Sequence, residues 1–471
     1  MAEPPPAMTG AWRPTRSSDY GPHAPGDRSF RLADGFKLSM HRRLSMLIAV
    51  LALALATAPT ALAGGSQSPP PSGGATPTTA AQRALVRSLA TGMRQAGADS
   101  GADVVDLTTG ATLYSHAATT ARLPASVQKL YTTTTALSRY GPRARLTTSV
   151  LGVGATDDGT FTGTLYLRGG GDPTFGSATF DRTAYGTGFG ATVQQLAANL
   201  SRAGITAVKG RLIADPSIFD NDRGTPATAN QPSIYVEGEL AGLDYDRGWA
   251  DSEGTIYYKH PAVEAGQQLV SAMRAAGIRI AANTPVTGGI TPSTARSLAS
   301  VSSPTIAQLI ALTNAPSDNF FAETLLKDLG AEFGTGGTTA AGAAVVRSQV
   351  ASAFGIDPRF DDGSGLSRSD RTTPAQVVKL LSVEADNLQF TNSLAVAGET
   401  GTLVDEMRGT YAQGRCRGKT GTLSDVSNLV GYCMARNGDT LAFALLMNGV
   451  IPDAAHLIQD RMAVAIARYD G

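Results

Sequence analysis

Leu123-Pro124-Ala125-Ser126-Val127-Gln128-Lys129-Leu130 is the stretch from which the rest of the chain is read. Ser126 and Lys129 are three residues apart, so a helix opening at Ser126 puts both side chains on one face, a turn apart. Pro124 and Ala125 suit an extended segment that ends where the helix begins. A serine hydroxyl is a poor nucleophile at neutral pH and needs a base beside it. An amine serves as that base when desolvation or a nearby cation lowers its pKa. The run LYTTTTAL at 130–137 is apolar enough to bury the helix, and Lys129 with it. No other lysine in the chain has a serine three residues before it. An S-x-x-K on an exposed helix is nevertheless common, so the pattern decides little alone.

The chain has 471 residues and a formal net charge of zero, which points to neither nucleic acid nor an anionic membrane surface. Its 42% hydrophobic and 17% charged residues are those of an ordinary soluble protein. Residues 1–39 are polar and proline-rich, and read as disordered or as an upstream extension from a misassigned start. Met40-His41-Arg42-Arg43, an apolar core at 47–56 and Ala61-Leu62-Ala63 then form a secretory signal peptide over 40–63. A retained membrane anchor is the alternative, but Thr57 and Pro59 break a run already short for a span. No cysteine sits at the cleavage site, which argues against a lipoprotein. Residues 64–79 (GGSQSPPPSGGATPTT) are a linker by composition. About 400 residues remain, more than one core usually organises, so two domains or more are expected.

Leu85, Leu89 and Met93 set a helix over 80–96, and 102–106 with 111–115 read as a hairpin. Residues 147–300 differ in texture. They are glycine-rich, with short alternating strands such as GTLYLR at 163–168 and a turn at Gly169-Gly170-Gly171-Asp172-Pro173. Helix 192–203 leads to strand 205–214, and helix 263–276 to strand 278–282. This is an inserted domain whose two ends must lie close together. Helical periodicity returns near Pro304, with helices expected at 320–329, 338–354 and 374–383. Strands follow at 410–423, 429–434 and 441–447, then a closing helix at 454–469.

Two further motifs accompany Ser126 and Lys129. Ser317-Asp318-Asn319 precedes an apolar helix, and N-capping would explain it as well. Lys419-Thr420-Gly421-Thr422 lies on an expected strand, where threonines and an exposed lysine need no special reason. Each is common, but the order S-x-x-K, S-x-N, K-T-G in a secreted chain is the set found in penicillin-binding proteins and serine β-lactamases. On these motifs, with G-G-G-D-P-T-F at 169–175, D-G-S-G-L-S-R at 362–368 and M-R-G-T around Arg408, the chain resembles the D-alanyl-D-alanine carboxypeptidase/endopeptidases of the low-molecular-mass class C penicillin-binding proteins, peptidase family S13. The similarity runs from about Ala80 to Ile466. A large domain between the first two motifs is typical of that group and separates it from compact β-lactamases. Members often nest a third domain in the second. Only about 90 residues separate Lys209 from Ser300 here, so it is shortened or absent. Gly398-Glu399-Thr400-Gly401-Thr402-Leu403 echoes K-T-G-T-L with Glu for Lys, and reads as a loop feeding the next strand, not a second site.

The resemblance implies an α+β fold of the penicillin-binding-protein/β-lactamase-like transpeptidase type. A five-stranded antiparallel sheet with helices on both faces would be built from 80–146 and 301–471, with an inserted α/β domain at 147–300. It also implies roles. Ser126 attacks the D-Ala-D-Ala carbonyl and forms an acyl-enzyme, with Lys129 as base. Ser317 relays a proton to the leaving amine. Asn319 holds Lys129 and the substrate amide. Lys419 keeps the site electropositive and helps keep Lys129 neutral, since like charges disfavour double protonation. Thr420 and Thr422 bind the terminal carboxylate beside Gly421, and the N–H groups of Ser126 and Thr422 form an oxyanion hole. Arg368 reaches the peptide stem or sits in a surface ion pair. Peptidoglycan stem peptides are the implied substrate and β-lactams the implied inhibitors. No cofactor or metal is required, and the oligomeric state is open.

The five histidines, His23, His41, His116, His260 and His456, come with no G-x-S-x-G elbow and no H-E-x-x-H. Cys416 and Cys433, the only cysteines, stand at equal distances from a turn centred on Ser424-Asp425. Facing positions of an antiparallel pair in an oxidising compartment predict a disulfide. The reading is a serine DD-peptidase located outside the cytoplasm, trimming the terminal D-Ala or cutting D-Ala–diamino-acid cross-links. Its rivals are a β-lactamase or esterase of the same superfamily, and a non-catalytic wall-binding relative.

Overall fold

A computed structural model describes residues 79–186 and 190–471. The readings over 1–39 and 40–63, and the linker save Thr79, lie outside the described residues. Helix α1 (Ala80–Ala96) is N-capped by the Thr79 hydroxyl and buries Leu85, Leu89 and Met93. Strands β1 (Ser100–Asp106) and β2 (Thr112–His116) form the expected hairpin. A 3-10 turn, Ala125–Gln128, runs into α2 (Lys129–Tyr140). Then come β3 (Thr147–Asp157), β4 (Thr160–Arg168), α3 (Ala178–Tyr185), α4 (Val193–Arg202), β5 (Ala207–Asp215), α5 (Pro261–Ala275), β6 (Val286–Gly288) and β7 (Arg296–Ser302). They are followed by α6 (Ile306–Asn314), α7 (Asn319–Phe333), α8 (Thr339–Phe354), α9 (Pro374–Glu384), the single turn α10 (Leu388–Thr391), β8 (Ala395–Val396), β9 (Cys416–Leu423), β10 (Val426–Met434), β11 (Thr440–Asn448) and α11 (Pro452–Ala467).

The main sheet has the order β2-β1-β11-β10-β9-β8, antiparallel throughout. It contains the five expected strands and one more, the two-residue β8 at the edge. Side chains alternate across a strand, and both faces are covered. On β11, Ala442, Ala444 and Leu446 join the core with α2, α6, α7, α8 and α9. Leu441, Phe443, Leu445 and Met447 join the opposite core with α1 and α11. The strand expected over 410–423 begins only at Cys416, because 412–416 is folded into turns closed by Arg415 N and Cys416 N on the Ala412 carbonyl. Cys416 stands opposite Cys433 in the β9–β10 register, and the two are disulfide-bonded.

The second sheet, β6-β5-β4-β3-β7, is mixed. β4, β5 and β6 run parallel, and the connections between them carry α4 and α5, which cover the sheet with Leu196, Leu200, Leu269 and Met273. Thr147 pairs with Ser302, so the two ends of this segment lie side by side. The strand expected at 278–282 does not form. Arg279 makes an isolated bridge to Ala207, and a turn closed by Thr284 N on the Ala281 carbonyl diverts the chain before a ladder develops. Residues 216–260 form an arm with two 3-10 turns and no strand or α-helix.

Candidate active site

Ser126 stands at the head of α2 for reasons visible on all sides of it. Asn428 of β10 donates to the carbonyls of Leu123 and Pro124 at 3.0 and 2.8 Å, and Asn448 of β11 accepts from Leu123 N at 2.8 Å. These amides seat the chain on the sheet just before the serine. The segment is not extended there. Pro124 is in the right-handed helical region, and Ala125 has φ 46°, a sharp corner that aims the Ser126 side chain off the sheet. Two glycines close on this corner. A Cβ at Gly365 would stand 1.8 Å from the Ala125 carbonyl oxygen, and one at Gly421 would stand 2.6 Å from that of Pro124. The D-G-S-G loop and the K-T-G strand therefore both pass against the serine turn, where no side chain fits between. α2 is buried as expected. Thr133 and Thr134 satisfy their hydroxyls on the carbonyls four residues back, and Thr132 donates to the Gly363 carbonyl.

Lys129 is fully buried. Its Nζ lies 2.8 Å from Ser126 Oγ, 2.5 Å from Asn319 Oδ1 and 2.9 Å from the Ser364 carbonyl oxygen. Burial lowers its pKa to about 8, against the pull of Glu237, Glu323, Asp362 and Asp318. Lys419, also fully buried, donates to the Thr420 carbonyl at 2.9 Å, and burial with the nearby Lys129 pushes it well below its ordinary value. Lys129 has three acceptors and four carboxyl groups in support, while Lys419 has one carbonyl.

Ser317 has φ 68°, and its hydroxyl has no hydrogen-bond partner among the described residues. Asp318 N-caps α7 through Phe321 N at 2.9 Å, as the plain capping explanation of the motif expects. Asn319 gives its side-chain oxygen to Lys129 and donates from Nδ2 to the Tyr235 carbonyl at 2.7 Å. Thr420 Oγ1 donates to Thr402 Oγ1 at 2.9 Å, which places the G-E-T-G-T-L echo behind the K-T-G strand as a supporting loop. Thr422 is exposed. Arg368 forms a bidentate ion pair with Asp425 at 2.8 and 2.9 Å, largely in solvent.

Sequence reasoning missed the acidic surround. Glu237 accepts from Asn319 N at 3.0 Å and is pushed up to about 7, first by burial and then by Asp318. Glu323 accepts from Gly363 N and Ser364 N, fixing the loop whose carbonyl meets Lys129, and burial raises it to about 8. Asp362 accepts from Gly365 N and Ser367 N. A signal existed for Glu323, one helical turn after Asn319. None existed for Glu237, which lies in the irregular arm.

A serine–lysine pair on a buried helix, against an antiparallel sheet with helices on both faces, defines the penicillin-binding-protein fold. Penicillin-binding protein 4 of Haemophilus influenzae matches with a TM-score of 0.65 at 20% identity, over 80% of this chain and 97% of that one. Its crystal structure complexed with a β-lactam matches at 0.63. The sequence profile of the D-Ala-D-Ala carboxypeptidase 3 (S13) family matches residues 82–237 and 233–469, and the chain belongs to that family. It is 30% identical to the D-alanyl-D-alanine carboxypeptidase of Actinomadura sp. (strain R39), over 80% of this chain and 82% of that protein. It is 31% identical to carboxypeptidase DacB of Mycolicibacterium smegmatis, over 77% and 79%.

Proposed function

We propose that this chain is a serine DD-peptidase that cleaves the D-Ala-D-Ala termini, or D-Ala–diamino-acid cross-links, of peptidoglycan stems. The observation that carries the reading is the buried Lys129 amine 2.8 Å from the Ser126 hydroxyl, with Asn319 and the Ser364 carbonyl holding it there. Ser126 Oγ attacks the carbonyl carbon of the penultimate D-Ala while its proton passes to Lys129. The N–H groups of Ser126 and Thr422 receive the oxyanion, at about 3 kcal/mol per donor. The C–N bond breaks, Ser317 passes a proton to the leaving amine, and water hydrolyses the acyl-serine. The substrate carboxylate binds at Thr420, Gly421 and Thr422. A negative charge arriving beside Lys419 favours a proton there, and a charged Lys419 drives the proton off Lys129. Substrate binding thereby arms the base. Arg368, held by Asp425 at the turn after the K-T-G strand, faces the stem peptide. A location outside the cytoplasm fits the Cys416–Cys433 disulfide and the leader-like 40–63 segment.

The test is release of D-Ala from a defined muropeptide, read by mass. The wild-type chain frees one D-Ala per stem or splits a cross-linked dimer, and Ser126→Ala does neither. Intact muropeptide after prolonged incubation with the wild type overturns the reading. Rapid turnover of penicillin without peptide cleavage points to a β-lactamase instead.

A further inference from the structure

We propose that Arg247, on the arm between β5 and α5, is a positioning residue for this reaction: it locks the Ser317-Asp318-Asn319 turn in its working geometry, so the second sheet's connection is part of the catalytic apparatus. The inference rests on the serine-peptidase reading above.

The Arg247 side chain is 5% exposed. Each nitrogen of its fork has a partner. Nη2 pairs with Asp318 Oδ2, Nη1 donates to the Glu237 carbonyl at 3.1 Å, and Nε donates to Tyr185 Oη at 3.1 Å. Rings of Tyr185, Trp249, Phe320 and Phe321 stand 5.2, 5.8, 5.2 and 5.3 Å from Cζ. A buried cation with a partner at each nitrogen fixes whatever it holds, and lysine cannot reproduce the planar fork. What it holds is the one carboxylate between the two polar residues of the motif. Asp318 Oδ1 is already taken by Phe321 N at the cap, so Arg247 settles the orientation of Oδ2. On one side, Ser317 sits at φ 68°, a conformation that a non-glycine residue keeps only when its surroundings impose it. On the other, Asn319 meets the Lys129 amine and is held by two more groups of the same arm, the Glu237 carboxylate and the Tyr235 carbonyl. An error of an ångström in this turn moves Asn319 off Lys129 and Ser317 off the leaving group.

The competing explanation is that Arg247 merely fastens the arm to α7. A second buried ion pair does that without touching the motif. Lys327, fully buried on α7, meets Asp220 at 2.6 Å and the Asp222 carbonyl. The experiment compares full-length wild type, Arg247→Met, Arg247→Lys, Asp318→Asn, the Arg247→Met/Asp318→Asn double variant and Lys327→Met. A fluorescent penicillin is the probe, and both the limiting acylation rate and the half-saturating concentration are read, with Tm measured alongside. Arg247→Met lowers the limiting rate about 100-fold, the cost expected of a small misplacement of reacting groups, with a much smaller change in half-saturation. Arg247→Lys restores part of the loss, and the double variant is no slower than Arg247→Met. Lys327→Met loses Tm but acylates at the wild-type rate per folded molecule. Wild-type rates in folded Arg247→Met, or in Arg247→Lys should the former not fold, overturn the proposal, as does an equal rate loss in Lys327→Met. Failure of the wild type itself to react with penicillin refutes the peptidase reading instead.

Discussion

Lys129 shows at single-residue scale how the chain sets a proton. Burial strips water from its amine and lowers its pKa to about 8, while Glu237, Glu323, Asp362 and Asp318 oppose that shift. Desolvation wins, but by less than it would alone. If the neutral amine is the base, the second-order rate of acylation by a penicillin rises with pH and reaches half its plateau near pH 8. A stopped-flow profile from pH 5 to pH 9 checks this, and a flat profile contradicts it. The lysine and its serine were legible in the sequence because a three-residue spacing survives any error in helix boundaries. The carboxyl groups around it were not. Glu237 and Arg247 reach the site from an arm without periodicity, and Glu237 adopts φ 66°, which no propensity for glutamate suggests. A surface ion pair for Arg368 was foreseen as the plainer of two readings, but its partner Asp425 was not.

Among the elements, the β9–β10 hairpin carries the most consequence. It bears Lys419 and Thr420, leaves no room for a side chain at Gly421, and is tied at its far end by Cys416 and Cys433. The disulfide was legible because two equal arms about one turn put the cysteines in facing positions. The start of β9 was not, since the turns at 412–416 depend on backbone hydrogen bonds that composition does not announce. The bond closes a separation of 17 residues, which corresponds to about 3 kcal/mol of lost unfolded-state entropy. Replacing both cysteines by alanine therefore lowers the unfolding free energy, read from denaturant melts, by that order. The folded variant still acylates within about threefold of wild type, because Asn428, Asn448 and the sheet register hold the serine turn independently. Acylation lost in a variant that remains folded shows that the hairpin needs the bond to position Lys419.

At the scale of the whole molecule, the described residues form two sheets built around separate cores, and the second returns to the first through the paired ends of β3 and β7. The inserted segment was legible as a change of texture and β5 as the strand after a helix, while the strand expected at 278–282 gave way to β6 at Val286–Gly288. That the segment's connecting arm would return to the S-x-N turn was not legible, because long-range contacts of an irregular segment leave no local pattern. The fold also buries many acids. Burial raises Asp370 to about 10, Asp172 to about 7 and Glu239 to about 7. A carboxyl whose folded pKa lies above its unfolded value contributes stability below the unfolded value, and loses it as pH rises through the folded one. Lys129, shifted the other way, brings little compensation below its folded pKa of about 8, and Lys419, whose shift opposes the trend, is one group against several raised acids. Urea midpoints therefore fall steadily from about pH 5 to about pH 7.5, and Asp370→Asn flattens the slope. A midpoint that climbs over that range contradicts the burial of these groups as acids.

The central claim is that Ser126 is the nucleophile of a penicillin-sensitive acyl-transfer site. Its most direct test is peptide mapping by mass after brief exposure of the purified chain to benzylpenicillin. One penicilloyl adduct on the peptide containing Ser126, absent from Ser126→Ala, is the predicted result. An unmodified wild-type chain, or an adduct that persists in Ser126→Ala, contradicts it.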